Sequence, residues 1–121
     1  MSNSMSVVSP TYAGQPVQFG NGAVGPEFSL TNGGASHVAQ AINSQRIGVQ
    51  ITAYGTVSND CTLQLKLSLD GVNYRTTKTF TNAECVAGAY ATIDVKAKYY
   101  QFLFIPGTTA AGSGVKVKVM D

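Results

Sequence analysis

The chain has 121 residues, of which only 12% are charged, about half the share of roughly 25% usual in soluble domains. That length fits one compact domain able to bury a core without metals or several disulfides, and its abundance of Ser, Thr, Asn, Val and 13 glycines excludes a helical bundle, a coiled coil and a disordered chain. A formal net charge of +2 is too small to imply nucleic acid or an anionic membrane as partner.

The N-terminal residues Met1 to Ser6 offer neither a basic region nor an apolar stretch of signal-peptide type, so synthesis in the cytosol is expected. Residues 1–45 contain one acidic residue, Glu27, together with His37, and no Lys or Arg. Three of the four prolines (Pro10, Pro16, Pro26) and the joints Gly20-Asn21-Gly22 and Asn32-Gly33-Gly34 also fall there. Short apolar pieces lie between these breaks. The pattern predicts an extended N-terminal arm with brief strands, whose apolar residues Val17, Phe19, Phe28 and Leu30 are candidate anchors for a partner protein. Ser36 to Ile42 fits a single turn of helix or an irregular strand equally well.

From Arg46 the hydrophobic period becomes two. Ile47, Val49, Ile51 and Ala53 alternate with polar or small residues, and then Cys61, Leu63, Leu65, Leu67 and Leu69 form one dry row. Asp70-Gly71-Val72-Asn73 predicts a hairpin, returning through Tyr74 to Phe80 with Leu63 opposite Phe80, Leu65 opposite Lys78, Leu67 opposite Thr76 and Leu69 opposite Tyr74. Lys78 on the leucine row is a fault in the pattern, which either a bulge or a snorkelling ammonium resolves. Ala91, Ile93 and Val95 mark a further strand. Tyr99 to Ile105 is apolar on both faces, as in a central strand, and is far shorter than the ~20 residues of a membrane span. Val115, Val117 and Val119 alternate with Lys116, Lys118 and Met120 in a final strand. The expectation is an all-β protein: an antiparallel β-sandwich, jelly-roll or Ig-like, over residues 46–121, with a barrel as the alternative.

Catalytic chemistry finds no foothold. His37 is the single histidine and lies in the arm, and the six acidic residues are scattered without metal-ligand spacing. The glycines lack phosphate-binding spacings. We therefore expect no enzyme, cofactor or metal. Cys61 and Cys85 lie near each other under the hairpin register. A disulfide is one reading and a pair of buried free thiols the other, the second agreeing with cytosolic synthesis. Lys116 and Lys118 fit a terminal edge strand guarded by charge; Lys96 and Lys98 precede the Tyr99-Tyr100 pair. Tyr54, Tyr74, Tyr99 and Tyr100 would make a stacking platform for sugar or single-stranded nucleic acid only if they shared one exposed face.

The stretch Arg46-Ile-Gly-Val-Gln-Ile-Thr-Ala-Tyr-Gly-Thr56, followed by Cys61-Thr-Leu-Gln-Leu-Lys-Leu-Ser-Leu-Asp-Gly-Val-Asn-Tyr74 and later Lys98-Tyr99-Tyr100-Gln101-Phe102, resembles small β-sandwich proteins of tailed-bacteriophage virions, most of all capsid decoration (cement) proteins. It differs in having Tyr74 where Trp is frequent. The resemblance implies a structural virion protein on the capsid exterior, made in the host cytoplasm, with the major capsid protein and further copies of itself (a dimer or trimer) as partners. A tail or fibre accessory sandwich and a carbohydrate-binding module are the alternatives.

Overall fold

The computed structural model describes residues 24–121. Their strands are β1 (Val24–Thr31), β2 (Gln40–Ala41), β3 (Arg46–Tyr54), β4 (Thr62–Ser68), β5 (Arg75–Phe80), β6 (Ala89–Asp94), β7 (Tyr99–Ile105) and β8 (Gly114–Met120), with one short helix, α1 (Asn82–Ala87). They form two antiparallel four-stranded sheets, ordered β1-β8-β3-β6 and β2-β7-β4-β5. Every connection crosses from one sheet to the other except the β4–β5 hairpin. This order is that of a jelly roll, which decides between the jelly-roll and Ig-like forms of sandwich.

Alternation in the strands explains the layering. The first sheet sends Ile47, Val49, Ile51, Val115, Val117 and Val119 inward; the second sends Leu63, Leu65, Phe80, Tyr100, Phe102 and Phe104 to meet them. Branched aliphatic side chains on one side and rings on the other interdigitate as facing layers of a sandwich should. At the crossing of β8 and β1, Gly114 is required by close approach, since a Cβ there would stand 2.8 Å from the Thr31 Cα.

The sandwich extends further towards the N terminus than the sequence pattern suggests. Leu30 is wholly buried in the core, and β1 pairs with β8 from Val24↔Met120 to Thr31↔Gly114. Residues 24–41, read from sequence as arm, thus supply a strand to each sheet. Their few apolar residues gave no long alternating run because β1 is an edge strand, broken by a bulge between Val24 and Glu27. Ser36 to Ile42 is the irregular strand rather than a helical turn: Gln40 and Ala41 pair with Tyr100 and Tyr99, and Ser36 bridges Leu103.

The hairpin keeps the expected register at its open end, with Leu63↔Phe80 and Leu65↔Lys78. A bulge after Leu65 then shifts the pairing, so Leu67 faces Arg75 instead of Thr76. Lys78 shows both remedies at once, since it adjoins the bulge and lays its ammonium 5.0 Å from the centre of the Phe80 ring. The strand ends at Ser68, leaving Leu69 exposed and Tyr74 half-buried outside the core. The Asp70 carboxylate organises the turn by accepting from the Val72 N–H (2.9 Å), the Asn73 N–H (2.8 Å), Asn73 Nδ2 (2.8 Å) and Ser68 Oγ (2.9 Å). These donors, the Asn73 backbone first, hold its carboxyl well below the usual range. Gly71 takes φ 77° in the same turn, and a Cβ there would meet the Tyr99 ring at 3.3 Å.

Helix α1 is an element the strand periodicity does not announce. Thr81 and Glu84 form a capping box: the Glu84 N–H donates to Thr81 Oγ1 (3.3 Å) and the Thr81 N–H donates to Glu84 Oε1 (2.9 Å).

Because Leu30 belongs to the core, Leu30→Ala is expected to destabilise the protein by about 2–5 kcal/mol. Urea unfolding of the purified variant checks this; a loss below about 0.5 kcal/mol, the level of an ordinary surface substitution, would contradict the placement of β1 in the sandwich.

Candidate interaction surface

Of the four sequence-predicted anchors, Val17 and Phe19 lie outside the described residues. The other two serve the fold itself. Leu30 is buried, and Phe28 is half-buried, its ring stacked on the His37 imidazole at 3.6 Å and 11°. Leu30 is therefore not free to anchor on a partner, whereas Phe28 keeps part of its surface exposed. Tyr100 and Phe102 complete the cluster, with ring centres 6.1 and 6.0 Å from His37. The cluster joins β1 of one sheet to β7 of the other along the side of the sandwich where β2 is short.

His37 occupies a gap in the β2–β7 pairing. Its Nε2 accepts the Phe102 N–H (2.9 Å), its ring Nδ1 donates to the Val38 carbonyl (2.7 Å), and its own carbonyl accepts from Gln101 Nε2 (2.6 Å). This arrangement requires the neutral imidazole with the proton on Nδ1. Burial lowers the His37 pKa, and the hydrogen bond to Val38 opposes that shift in part. The histidine is a structural part of an edge.

Cys61 and Cys85 are free thiols, both buried in one core cluster, and Cys85 Sγ lies 4.0 Å from the Phe80 carbonyl. Burial pushes the Cys85 thiol up to about 12, and it raises Cys61 as well. Cys85 reaches the core from α1 and Cys61 from just before β4, so the pair fastens the helix against the sandwich. The proximity expected from the hairpin register is present, and no bridge closes it.

The lysines are placed differently from the edge-strand expectation. β8 is an interior strand between β1 and β3, with Lys116 and Lys118 on its solvent face. Lys116 lies 5.4 Å from the Tyr54 ring centre, and Lys118 is in register with Glu27. The four tyrosines do not form a platform: Tyr54 belongs to the first sheet, whereas Tyr100 is buried in the second.

A surface that the sequence did not signal lies on the outer face of the first sheet. Gly48 forms the floor of a groove of about 330 Å³ walled by Arg46, Tyr90, Thr92, Met120 and Asp121. Tyr90 is 66% exposed and Met120 41%. A Cβ at Gly48 would stand 3.5 Å from the Tyr90 hydroxyl and 3.8 Å from the Met120 Cβ, so a side chain there would contact both walls of the groove. Arg46 Nε donates to Asp94 Oδ1 at 2.8 Å across the β3–β6 pair. The one available signal was a glycine at an outward position of β3, between Arg46 and Gln50 on the same face. Among the described residues no group of three or more His, Cys, Asp or Glu is placed to hold a metal, and no helix is long and apolar enough to cross a membrane.

No family model, no curated protein and no solved structure matches the chain.

Two outcomes are expected. Since His37 titrates lower in the folded state than in the unfolded chain, its contribution to stability is complete above the ordinary histidine value of about 6.5. That contribution is lost as the pH falls through the depressed folded value. Urea unfolding at pH 7.5 and 5.0 should show a loss on acidification that is smaller in His37→Gln, whose amide oxygen can accept from Phe102; equal losses would count against the neutral imidazole. The two thiols should resist an aromatic disulfide reagent at pH 8 in the native protein, and both should react once the chain is unfolded in denaturant without reductant. Fewer than two reactive thiols in that state would reveal a bridge.

Proposed function

We propose that this chain is a structural virion protein of a tailed bacteriophage, decorating and stabilising the outside of the capsid at capsomer junctions. The observation that carries the reading is the β1-β8-β3-β6 and β2-β7-β4-β5 order, an architecture that recurs in viral capsid and lectin domains. It is supported by the Ser68-Leu69-Asp70-Gly71-Val72-Asn73-Tyr74 turn that carries the family resemblance, and by a segment, residues 1–23, without one charged residue. The role is mechanical. A closed sandwich contributes a rigid body, and surface buried against the major capsid protein adds binding free energy that opposes disassembly. The protein is made in the host cytoplasm, works on the virion, and associates with further copies of itself. No reaction, cofactor or metal enters this role.

Carbohydrate binding is a second reading, favoured by the exposed Tyr90 ring beside the Gly48 groove, where an aromatic face, Arg46 and Asp121 flank one hollow. A tail or fibre accessory role uses the same fold at another place in the particle.

Mixing the purified protein with undecorated capsids and imaging them by electron microscopy tests the proposal. Added density at capsomer junctions is the expected result. Absence of binding to every capsid state would remove the capsid reading, and saturable binding of host surface polysaccharide, lost in Tyr90→Ala, would favour the second.

A further inference from the structure

Among the described residues the two sheets have four edges, and three of them are guarded. β1 carries Pro26 and a bulge between Val24 and Glu27. β2 is two residues long, and beside it the His37 ring takes the place of a backbone partner. β5 is bulged opposite Leu65 and Lys66 and bears Arg75 and Lys78. Each device is a known way of discouraging a sheet edge from pairing with another chain.

β6 has none of these. Its sequence is Ala-Tyr-Ala-Thr-Ile-Asp, without proline, lysine or glycine, and it holds unbroken register with β3 from Ala89↔Ile51 to Asp94↔Arg46. Among the described residues, its other side pairs with no strand or isolated bridge. Tyr90, Thr92 and Asp94 are exposed, while Ala89, Ala91 and Ile93 are half-buried against the core. The single charge, Asp94, is already matched by Arg46 at 2.8 Å.

We propose that β6 is the self-association surface, with two copies of the chain pairing antiparallel along it to join their sheets into one. The strand suits itself as a partner. Antiparallel pairing centred on Ala91 or on Thr92 sets the outward row opposite the outward row, so the core-facing residues of both copies stay on one side. In neither register do like charges meet, because Asp94 falls opposite Tyr90 in one and opposite Gly88 in the other. Thr92 faces either itself or Tyr90, both favourable cross-strand pairs. A two-fold contact uses up both edges and closes at two copies, which limits open-ended growth from an unguarded strand. The exposed Tyr90 beside the joint adds apolar surface for the partner to cover. This assignment gives a surface to the self-association in the function proposed above, yet needs no capsid, so the two stand or fall on separate measurements.

Sedimentation equilibrium of the full chain tests it. Twice the monomer mass is expected for the wild type. The double variant Tyr90→Lys/Thr92→Lys, which opposes lysines in either register, should return the monomer mass, whereas Thr77→Lys/Thr79→Lys on β5 should leave the dimer intact. A wild type that stays monomeric through the high micromolar range, or a dimer that survives the β6 substitutions, overturns the proposal. Amide hydrogen exchange on the wild type provides a reading independent of variant folding. Amides in residues 89–94 should gain protection as protein concentration rises. Concentration-independent protection in a monomer would instead mean that the edge is covered by the chain's own residues, and would overturn it equally.

Discussion

Both sheets depend on pairing with strands that come late in the chain. β7 lies between β2 and β4, and β8 lies between β1 and β3. β1 and β2 therefore find their only strand partners once β8 and β7 are in place, and β3 and β4 each complete their second side with the same two strands. Unpaired groups of this kind are too costly to bury, so neither sheet can close progressively from its N-terminal side. The β4–β5 hairpin is the one local exception. Such non-local topology favours a single cooperative closure and slow folding, and it yields a body with little internal freedom once formed.

The division of side-chain types between the sheets follows from the same closure. Valine and isoleucine suit the pleated faces of β3 and β8, where branching at Cβ is compatible with an extended backbone. The rings of Phe80, Phe102 and Phe104 then span the gap between layers. On the side where β2 is too short to finish the job, the stacked Phe28 and His37 rings cover the edge of the core. A neutral imidazole serves well there because it offers an apolar face to the phenyl ring, an acceptor to Phe102 and a donor to Val38. On another side the capped helix α1 brings Cys85 inward. Among the described residues most large apolar side chains are spent on the interior, and the outer surface is one of hydroxyls, amides and a few lysines interrupted by exposed apolar residues such as Leu69, Val72 and Tyr90. Among the described residues the local departures from that pattern are the Gly48 groove and the β6 edge.

How much of this was legible in the sequence varies with the range of the interaction that decides each feature. The period-two rows of β3, β4, β7 and β8 were plain, because alternation is a property of a strand facing one dry layer. The Asp70-Gly71 turn was equally plain, since its hydrogen bonds span only a few residues. The bulge after Leu65 was anticipated only as one of two cures for Lys78, and it moved the pairing of Leu67 from Thr76 to Arg75. Helix α1 had a local signal in Thr81-x-x-Glu84 that the surrounding strand pattern obscured. β1 was mistaken for arm because an edge strand with a bulge needs few apolar residues to hold it. The Tyr90–Met120 groove was invisible because β6 and β8 come together only through their shared neighbour β3.

By itself, the sequence determined the fold class, the positions of the long strands, the chemistry of the hairpin turn and the closeness of the two cysteines. These rest on periodicity and on contacts between near neighbours in the chain. Tertiary structure alone decided the jelly-roll order, the inclusion of residues 24–41 in the sheets, the interior place of β8 with its lysines facing solvent, and the two free thiols. The physical reason is that backbone hydrogen bonding between strands is the same for every pairing, so strand order is selected by how the two dry faces fill each other. That complementarity belongs to the assembled layers and to no single stretch of chain.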